Sequence, residues 1–386
     1  MIPRPLAGLL EPLEAFEAIR RRAVRLGARV CDLSYANPFD GVTPRAREVL
    51  RRVLEEERTL DLQYTPFGGW TPARRAVADA LAATHLPDAD FRDVILTPGA
   101  MAALHLALRA AGQPGDEVVI PVPCWLDYPT YARCLGLEPV LVELEGPAFA
   151  LDPDRIADAV GPRTCALLLS QPANPTGRCH RPRELRALAD VLARAEQRSG
   201  RPITWISDET HRDLLPRGIF RSPAEVWART VVVYSFGKYH ALQGQRIGYA
   251  AVSPRHPERR ETADELVRWA RITGACTPTA LMQRALPALL RLEHDLAPLD
   301  AWRQRVRAGL AEAGYRVAPA DGTFFLYAAV PDGRDDWEFV ETLAARGVLV
   351  LPSAVFHHTG HFRISLTGSA SMLERALAVF REVAGS

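Results

Sequence analysis

Lysine is almost absent from this chain. Its 386 residues hold 47 lysines and arginines together, and Lys238 is the one lysine among them. A protein that binds nucleic acid or an anionic membrane through a cationic face needs a basic excess, and the formal net charge here is only +1, with arginines and carboxylates interspersed. Cysteine is sparse as well. The six thiols, Cys31, Cys124, Cys134, Cys165, Cys179 and Cys276, are scattered, with no close pair at metal-knuckle or redox spacing. That usage suits a reduced, cytoplasmic protein. No apolar run approaches the roughly 20 residues of a membrane-spanning helix. Glu11, Glu14 and Glu17 in the first turns argue against a signal peptide. Internal repeats and low-complexity linkers are missing too.

What is present reads as an α/β enzyme. Hydrophobic content of 48% and charged content of 24% describe a globular chain long enough for two or three domains. Short apolar runs at Val94–Leu96, Glu117–Val122, Val140–Leu144, Ala166–Leu169, Ile203–Ile206 and Val231–Tyr234 alternate with helical patterns, among them Thr71–Thr84, Met101–Ala110 and Arg183–Gln197. This spacing predicts a mostly parallel sheet covered by helices on both faces. Beyond about residue 280 the pattern changes. Long helices at Leu281–Leu292 and Leu299–Ala313 precede strand-like runs at Phe324–Val330, Val348–Leu351 and Phe362–Leu366 and a closing helix from about Ser371. The expected organisation is an N-terminal arm and helix over 1–45, a large domain over 46–280 and a smaller α+β domain over 281–386.

Lys238 follows the buried-strand pattern Val231-Val232-Val233 within Tyr234-Ser235-Phe236-Gly237-Lys238. The C-terminal edge of a parallel sheet is where α/β enzymes place their chemistry. Arginine keeps its proton in proteins, whereas a desolvated lysine amine can lose it and attack a carbonyl. One lysine in a chain so biased toward arginine is a surface accident or a Schiff-base residue, and this context favours the second.

Four further features stand where a lysine imine needs them. Gln171-Pro172-Ala173-Asn174-Pro175-Thr176-Gly177 follows a strand, and is a plain turn or a ligand loop. Asp208 ends the run Thr204-Trp205-Ile206, as a helix cap or a catalytic carboxylate. Arg246, in Gln243-Gly244-Gln245-Arg246-Ile247-Gly248-Tyr249, is a surface ion-pair partner or a phosphate grip. Thr97-Pro98-Gly99-Ala100-Met101 runs from strand to helix, where free N–H groups bind anions.

In this order the features resemble the aminotransferase class I/II family, fold-type I enzymes that use pyridoxal 5′-phosphate (PLP). The resemblance runs from about Asp32 to Arg381 and is sharpest over Ser235–Tyr249, which follows S-x-x-K…G-x-R-x-G-Y. It implies that Lys238 holds PLP as an internal aldimine and shuttles the substrate α-proton. Asp208 would pair with the pyridinium nitrogen, keeping the ring an electron sink. Asn174 would donate to the phenolic O3′. Ser235, Arg246 and the backbone at Gly99, Ala100 and Met101 would hold the phosphate. Trp125 would stack on the ring, core packing being its alternative. Arg363, in His361-Phe362-Arg363-Ile364-Ser365, would clasp the substrate α-carboxylate. Ala36, in Ala36-Asn37-Pro38, takes the place of the family's glycine beside the substrate, which narrows the pocket or has no effect. Tyr64 would reach the phosphate of a neighbouring subunit, which implies a homodimer.

The main departure is His211. The run Asp208-Glu209-Thr210-His211 ends where the family has a tyrosine that donates to O3′. A histidine can donate there too, but it titrates near neutrality and can move protons itself. Either the swap leaves transamination intact, or it retunes the site for β-elimination, oxidative decarboxylation or cyclisation. A PLP-binding sensor module is the third class, disfavoured because no DNA-binding region precedes the fold. The leading reading is an aminotransferase acting on an α-amino acid. His357, His358 and His361 have no carboxylate or thiol spaced to complete a metal site, so no metal is expected. Arg268 and Arg271 are surface residues or neighbours of the site. Trp70, Phe67, Tyr35 and Phe356 form a roomy aromatic pocket or belong to the core.

Overall fold

The structure, a computed structural model, describes residues 8–384 apart from 26, 28–29, 40–42, 57–61, 217–219 and 276. Cys276 therefore lies outside the described residues. Twelve strands are described: β1 Cys31–Asp32, β2 Val94–Thr97, β3 Glu117–Val122, β4 Glu138–Glu143, β5 Thr164–Ser170, β6 Thr204–Asp208, β7 Thr230–Ser235, β8 Gly248–Val252, β9 Phe325–Ala329, β10 Val348–Leu349, β11 Leu351–Pro352 and β12 His361–Ser365. Seven of them form one sheet in the order β2-β8-β7-β6-β5-β3-β4. Only β8 runs against its neighbours; the β3, β4, β5, β6 and β7 ladders are parallel. The expected α/β class, with a mostly parallel sheet flanked by helices, is what the chain adopts.

The central strands are continuous apolar runs because both faces of the sheet are covered. Period-two alternation then sends neighbouring residues to opposite cores. In β5, Leu167 and Leu169 join the cluster that includes Leu188 and Leu192 of the helix Pro182–Ser199. Ala166 and Leu168 join the other, with Leu104 and Leu108 of Ala100–Ala111 and Leu266 of Arg259–Ile272. Trp205 of β6 is fully buried in the first of these cores. The helices start on recognisable signals: Thr43 accepts from the Ala46 N–H, and Asp152 and Asp335 cap Pro153–Ala159 and Asp336–Ala345. Among the described residues no helix is long and apolar enough to cross a membrane.

A second, antiparallel sheet, β11-β12-β9, lies beside the first, and β1 pairs with β10 in parallel. Two expectations change here. The run Val348–Leu351 is two strands in different sheets, broken at Val350. The helix predicted over 281–292 spans Ala280–Leu289 and packs on Pro44–Glu55 and Thr71–Thr84, in the core beneath β2 and β8. Its apolar stripe faces the seven-stranded sheet although its sequence follows the change in pattern.

Because Trp205 fills the centre of one core, Trp205→Ala should cost roughly 3–5 kcal/mol of stability in a urea titration, and Trp205→Phe clearly less. Equal loss in both would overturn the volume argument, since the indole N–H has no hydrogen-bond partner to lose.

Candidate active site

The C-terminal ends of β2, β5, β6 and β7 converge on a cavity of about 110 Å³. Its lining includes Ala100, Met101, Trp125, Asn174, Asp208, His211, Ser235, Lys238 and Arg246. Nine of the residues singled out in the sequence are thus brought into one place. Leu104 and Thr210, which were not, also face it.

Ser235 ends β7 and caps a single helical turn, Phe236–His240, which carries the lysine. Gly237 suits this turn, since a Cβ there would come within 2.9 Å of the Gln243 Cα. Lys238 is half-buried, and its amine is desolvated. Burial, aided by the nearby positive charges of Arg363 and Arg246, pushes its pKa down to about 8, while Asp208 pulls the other way. A minority of this amine, roughly a fifth, is therefore neutral and nucleophilic near physiological pH, far more than for an ordinary lysine.

Asp208 is buried, and desolvation raises its pKa although hydrogen bonds oppose that. The Thr210 N–H donates to Oδ1 at 3.0 Å and the Tyr128 hydroxyl to Oδ2 at 2.7 Å. The carboxylate is thus no helix cap; it is held from behind. Tyr128 is a positioning group that sequence reasoning missed. It stands three residues after Trp125, and nothing local connects it to a carboxylate 80 positions away.

One rim of the cavity is a small-residue cradle. Gly99 has φ +82°, and a Cβ on it would lie 2.8 Å from Arg246 Nη2. A Cβ on Gly248 would lie 2.3 Å from the Tyr234 carbonyl oxygen and 2.9 Å from the Gly99 carbonyl carbon. Both glycines are required by close approach. They bring together the N-terminus of Ala100–Ala111, the Ser235 hydroxyl and the Arg246 guanidinium, which donates to the Gln243 carbonyl at 2.8 Å. Backbone N–H groups, a hydroxyl and a guanidinium are the donor set for a phosphate dianion.

Opposite this rim, Arg363 is 4% exposed. Its Nη1 donates to Asn174 Oδ1 at 2.9 Å and its Nη2 to the Ser34 carbonyl at 2.7 Å, while Nε has no partner. The guanidinium carbon lies 3.9 Å from the Phe325 ring centroid and 4.8 Å from that of Phe356. Asn174 is accordingly no mere turn residue: accepting from Arg363 orients its amide. The half-buried Ala36 follows Ser34 and Tyr35 on the segment beside β12, where the Leu33 carbonyl accepts from the Ser365 N–H.

His211 is buried, edge-on to Phe324 and Phe325, with both ring nitrogens lacking a hydrogen-bond partner. The expectation that it titrates near neutrality fails. Burial, then the charges of Lys238 and Arg363, hold its pKa well below the usual imidazole range. It is a neutral donor or acceptor. The four aromatic residues do not form one pocket either. Phe356 lies under Arg363 and Tyr35 donates to Glu17, whereas Trp70 packs under the helix Ala280–Leu289 and Phe67 is exposed beneath Arg271. Arg268 pairs with Glu265 on the surface. Tyr64 is fully exposed, outside this cavity.

With one lysine per chain, ¹³C-lysine labelling yields a single side-chain ε signal. In the apoprotein its titration should centre near pH 8, because the folded pKa lies below the ordinary value and the amine is neutral above it; a midpoint near 10.5 would show an exposed amine. Gly248→Ala should reduce phosphate affinity at least tenfold, measured by pyridoxal phosphate titration, since the cradle must open to admit the methyl group.

Comparison with known proteins agrees with this geometry. The model of the family described as Aminotransferase class I and II matches residues 28–380. An aspartate/prephenate aminotransferase from Thermus thermophilus is 30% identical over 396 residues, covering 99% of this chain and 97% of that one. A probable aspartate aminotransferase from Methanocaldococcus jannaschii is 25% identical, covering 87% and 88%. Among solved structures, the Thermus thermophilus aspartate aminotransferase with maleate superposes with a TM-score of 0.86 at 29% identity, covering 96% of each chain. The Thermotoga maritima aspartate aminotransferase gives 0.87 at 25% identity over both full lengths. The chain belongs to the aminotransferase class I and II family and is a PLP-dependent aminotransferase.

Proposed function

We propose that the cavity around Lys238 binds PLP and that the enzyme moves an amino group between an α-amino acid and a 2-oxo acid. The observation that carries this reading is the buried, partly neutral Lys238 amine set between Asp208 and a phosphate-type cradle. When bound, PLP withdraws electrons from the substrate α-carbon, so that its proton becomes removable. The chain's residues do the rest. Lys238 supplies the amine that holds the cofactor aldehyde, and takes and returns the α-proton once displaced. Asp208, steadied by Tyr128, keeps the pyridine nitrogen protonated. Asn174, its Oδ1 already engaged by Arg363, turns its NH₂ group toward O3′. His211 serves O3′ as a neutral partner. Ser235, Arg246 and the backbone at Gly99, Ala100 and Met101 hold the phosphate, and Trp125 covers a face of the ring.

Arg363 receives the α-carboxylate. Its unpartnered Nε and its bond to the amide of Asn174 suit it to a planar anion. Ala36 borders the same space. The seven-stranded unit, 46–280 together with the rest of the helix ending at Leu289, is assigned to cofactor binding. The unit 281–386 beyond that helix carries Arg363, and 1–45 packs against it through the β1–β10 pairing.

Assembly as a homodimer is supported by exposed apolar side chains, among them Leu62, Tyr64, Phe67, Ile272 and Met101, the last of which lines the cavity. Tyr64 is assigned to the partner's phosphate. Its loop is pinned rather than free, since Gln283 donates to Thr65 Oγ1 and accepts from the Trp70 N–H. Buried thiols at Cys124, Cys165 and Cys179 fit a reducing, cytoplasmic setting.

The reading is tested with Lys238→Ala, which should lose both the cofactor's absorbance and transfer of an amino group from a panel of amino acids to a 2-oxo acid; retained turnover would overturn it. His211→Tyr should shift the pH at which the bound cofactor changes colour by on the order of one unit, the effect of exchanging one charge-assisted hydrogen bond. An unchanged titration would mean that His211 does not face O3′.

A further inference from the structure

A separate cavity of about 570 Å³ opens where the loop after β4 meets the antiparallel sheet. Its floor is a stack of rings. His358 lies on His361 with centroids 4.9 Å apart and planes 25° from parallel. His361 lies on Tyr327 at 5.0 Å and 9°. Phe149 meets all three edge-on, at 5.4–5.5 Å. Phe149 also has a left-handed backbone, φ +48°, a conformation that costs energy for a bulky residue and is kept where the surroundings demand it.

Above the rings the charges are of both signs. Arg316 lines the cavity together with Glu143 and Glu145, whose side chains are 61% and 68% exposed. Glu145 is paired with Arg155. His358 is mostly buried; its ring nitrogens lack a hydrogen-bond partner, though Nδ1 lies 3.4 Å from Glu143 Oε1. A simple anion would meet the two glutamates and a simple cation would meet Arg316. A zwitterion satisfies both, and the ring floor offers faces and edges for a flat side chain.

We propose that this cavity is a second binding site, for a free α-amino acid with an aromatic side chain: its carboxylate on Arg316, its ammonium on Glu143 and its ring on the His358 side of the stack. Occupancy is transmitted to Arg363. His361 and Arg363 project from the same face of β12, and Tyr327 is the register partner of Arg363 on β9. The ligand would tie the loop after β4, on the large sheet, to the sheet that carries Arg363. Any effect of binding there on affinity for the substrate carboxylate is, by linkage, reciprocal. This transmission rests on the role proposed for Arg363; the binding itself does not.

The test is calorimetric titration of L-phenylalanine into enzyme loaded with pyridoxamine 5′-phosphate, which cannot condense with an amine. One saturable site per chain is expected. Arg316→Ala and Glu143→Gln, both on the exposed rim, should each weaken it at least tenfold while leaving amino transfer from a non-aromatic donor unchanged. Phenylpropionate and phenylalaninamide, each lacking one charge, should bind at least tenfold more weakly. Absence of a saturable site, or binding indifferent to both substitutions, overturns the proposal and leaves transamination untouched. A wild-type enzyme that transfers no amino group would instead overturn the function proposed above, whatever the cavity binds.

Discussion

One buried amine sets the requirements for the rest of the site. A lysine taken out of water loses the solvation of its charge, and two guanidiniums nearby raise that cost further. Asp208 opposes this trend, and it is itself desolvated. The balance leaves the amine close to half-protonated at mildly alkaline pH. An additional carboxylate near Lys238 would favour the ammonium, inert toward a carbonyl; removing both guanidiniums would move it the same way only in part, because desolvation is the larger cause. Arg246 and Arg363 therefore act on the amine electrostatically as well as through the anions proposed for them.

That balance needs the charges held at fixed distances, and the backbone provides this. The strand ends deliver Gly99, Asn174, Asp208 and Ser235 to one edge of a covered sheet. Gly248 lets β8 pass beneath the Gly99 turn so closely that a methyl group would collide with the Tyr234 carbonyl oxygen. Gly177 has a parallel role across the cleft. At φ +74° its carbonyl accepts from the Asp321 and Gly322 N–H groups, joining the Asn174 loop to the segment that leads into β9. A Cβ there would meet Ala320 at 2.7 Å.

Much of this was legible because the signals are local. A continuous apolar run reads as a strand buried on both faces, and the residue just past it then falls at the sheet edge. Lys238, Asp208, Asn174 and the Gly99 turn were found in that way. Arg363 and Tyr64 came only from family resemblance, since nothing in their neighbourhoods marks them. What escaped depends on contacts between distant segments. Tyr128 reaches Asp208 across 80 residues and Arg363 reaches Asn174 across 189, with no period or spacing to announce either pairing. The break at Val350 was hidden because both halves of the run are equally apolar. The neutrality of His211 was invisible for a related reason: its pKa is set by burial and by the charges of Lys238 and Arg363, none of which its own segment encodes.

The Arg363–Asn174 bond carries a further consequence. An amide has one oxygen and one NH₂ group, so engaging the oxygen with a guanidinium commits the other end to donate. A group proposed to hold the substrate carboxylate thereby orients a group proposed to hold the cofactor ring. When a carboxylate draws Arg363 toward itself, the Asn174 oxygen loses part of its partner and the donor end shifts with it. Substrate recognition and the electronic state of the ring are then coupled through a single side chain. His211 sits beside this pair as an uncharged imidazole. In the role proposed for it, a neutral imidazole would leave the coupling to Asn174 where a phenol would add a second acidic proton at the same oxygen.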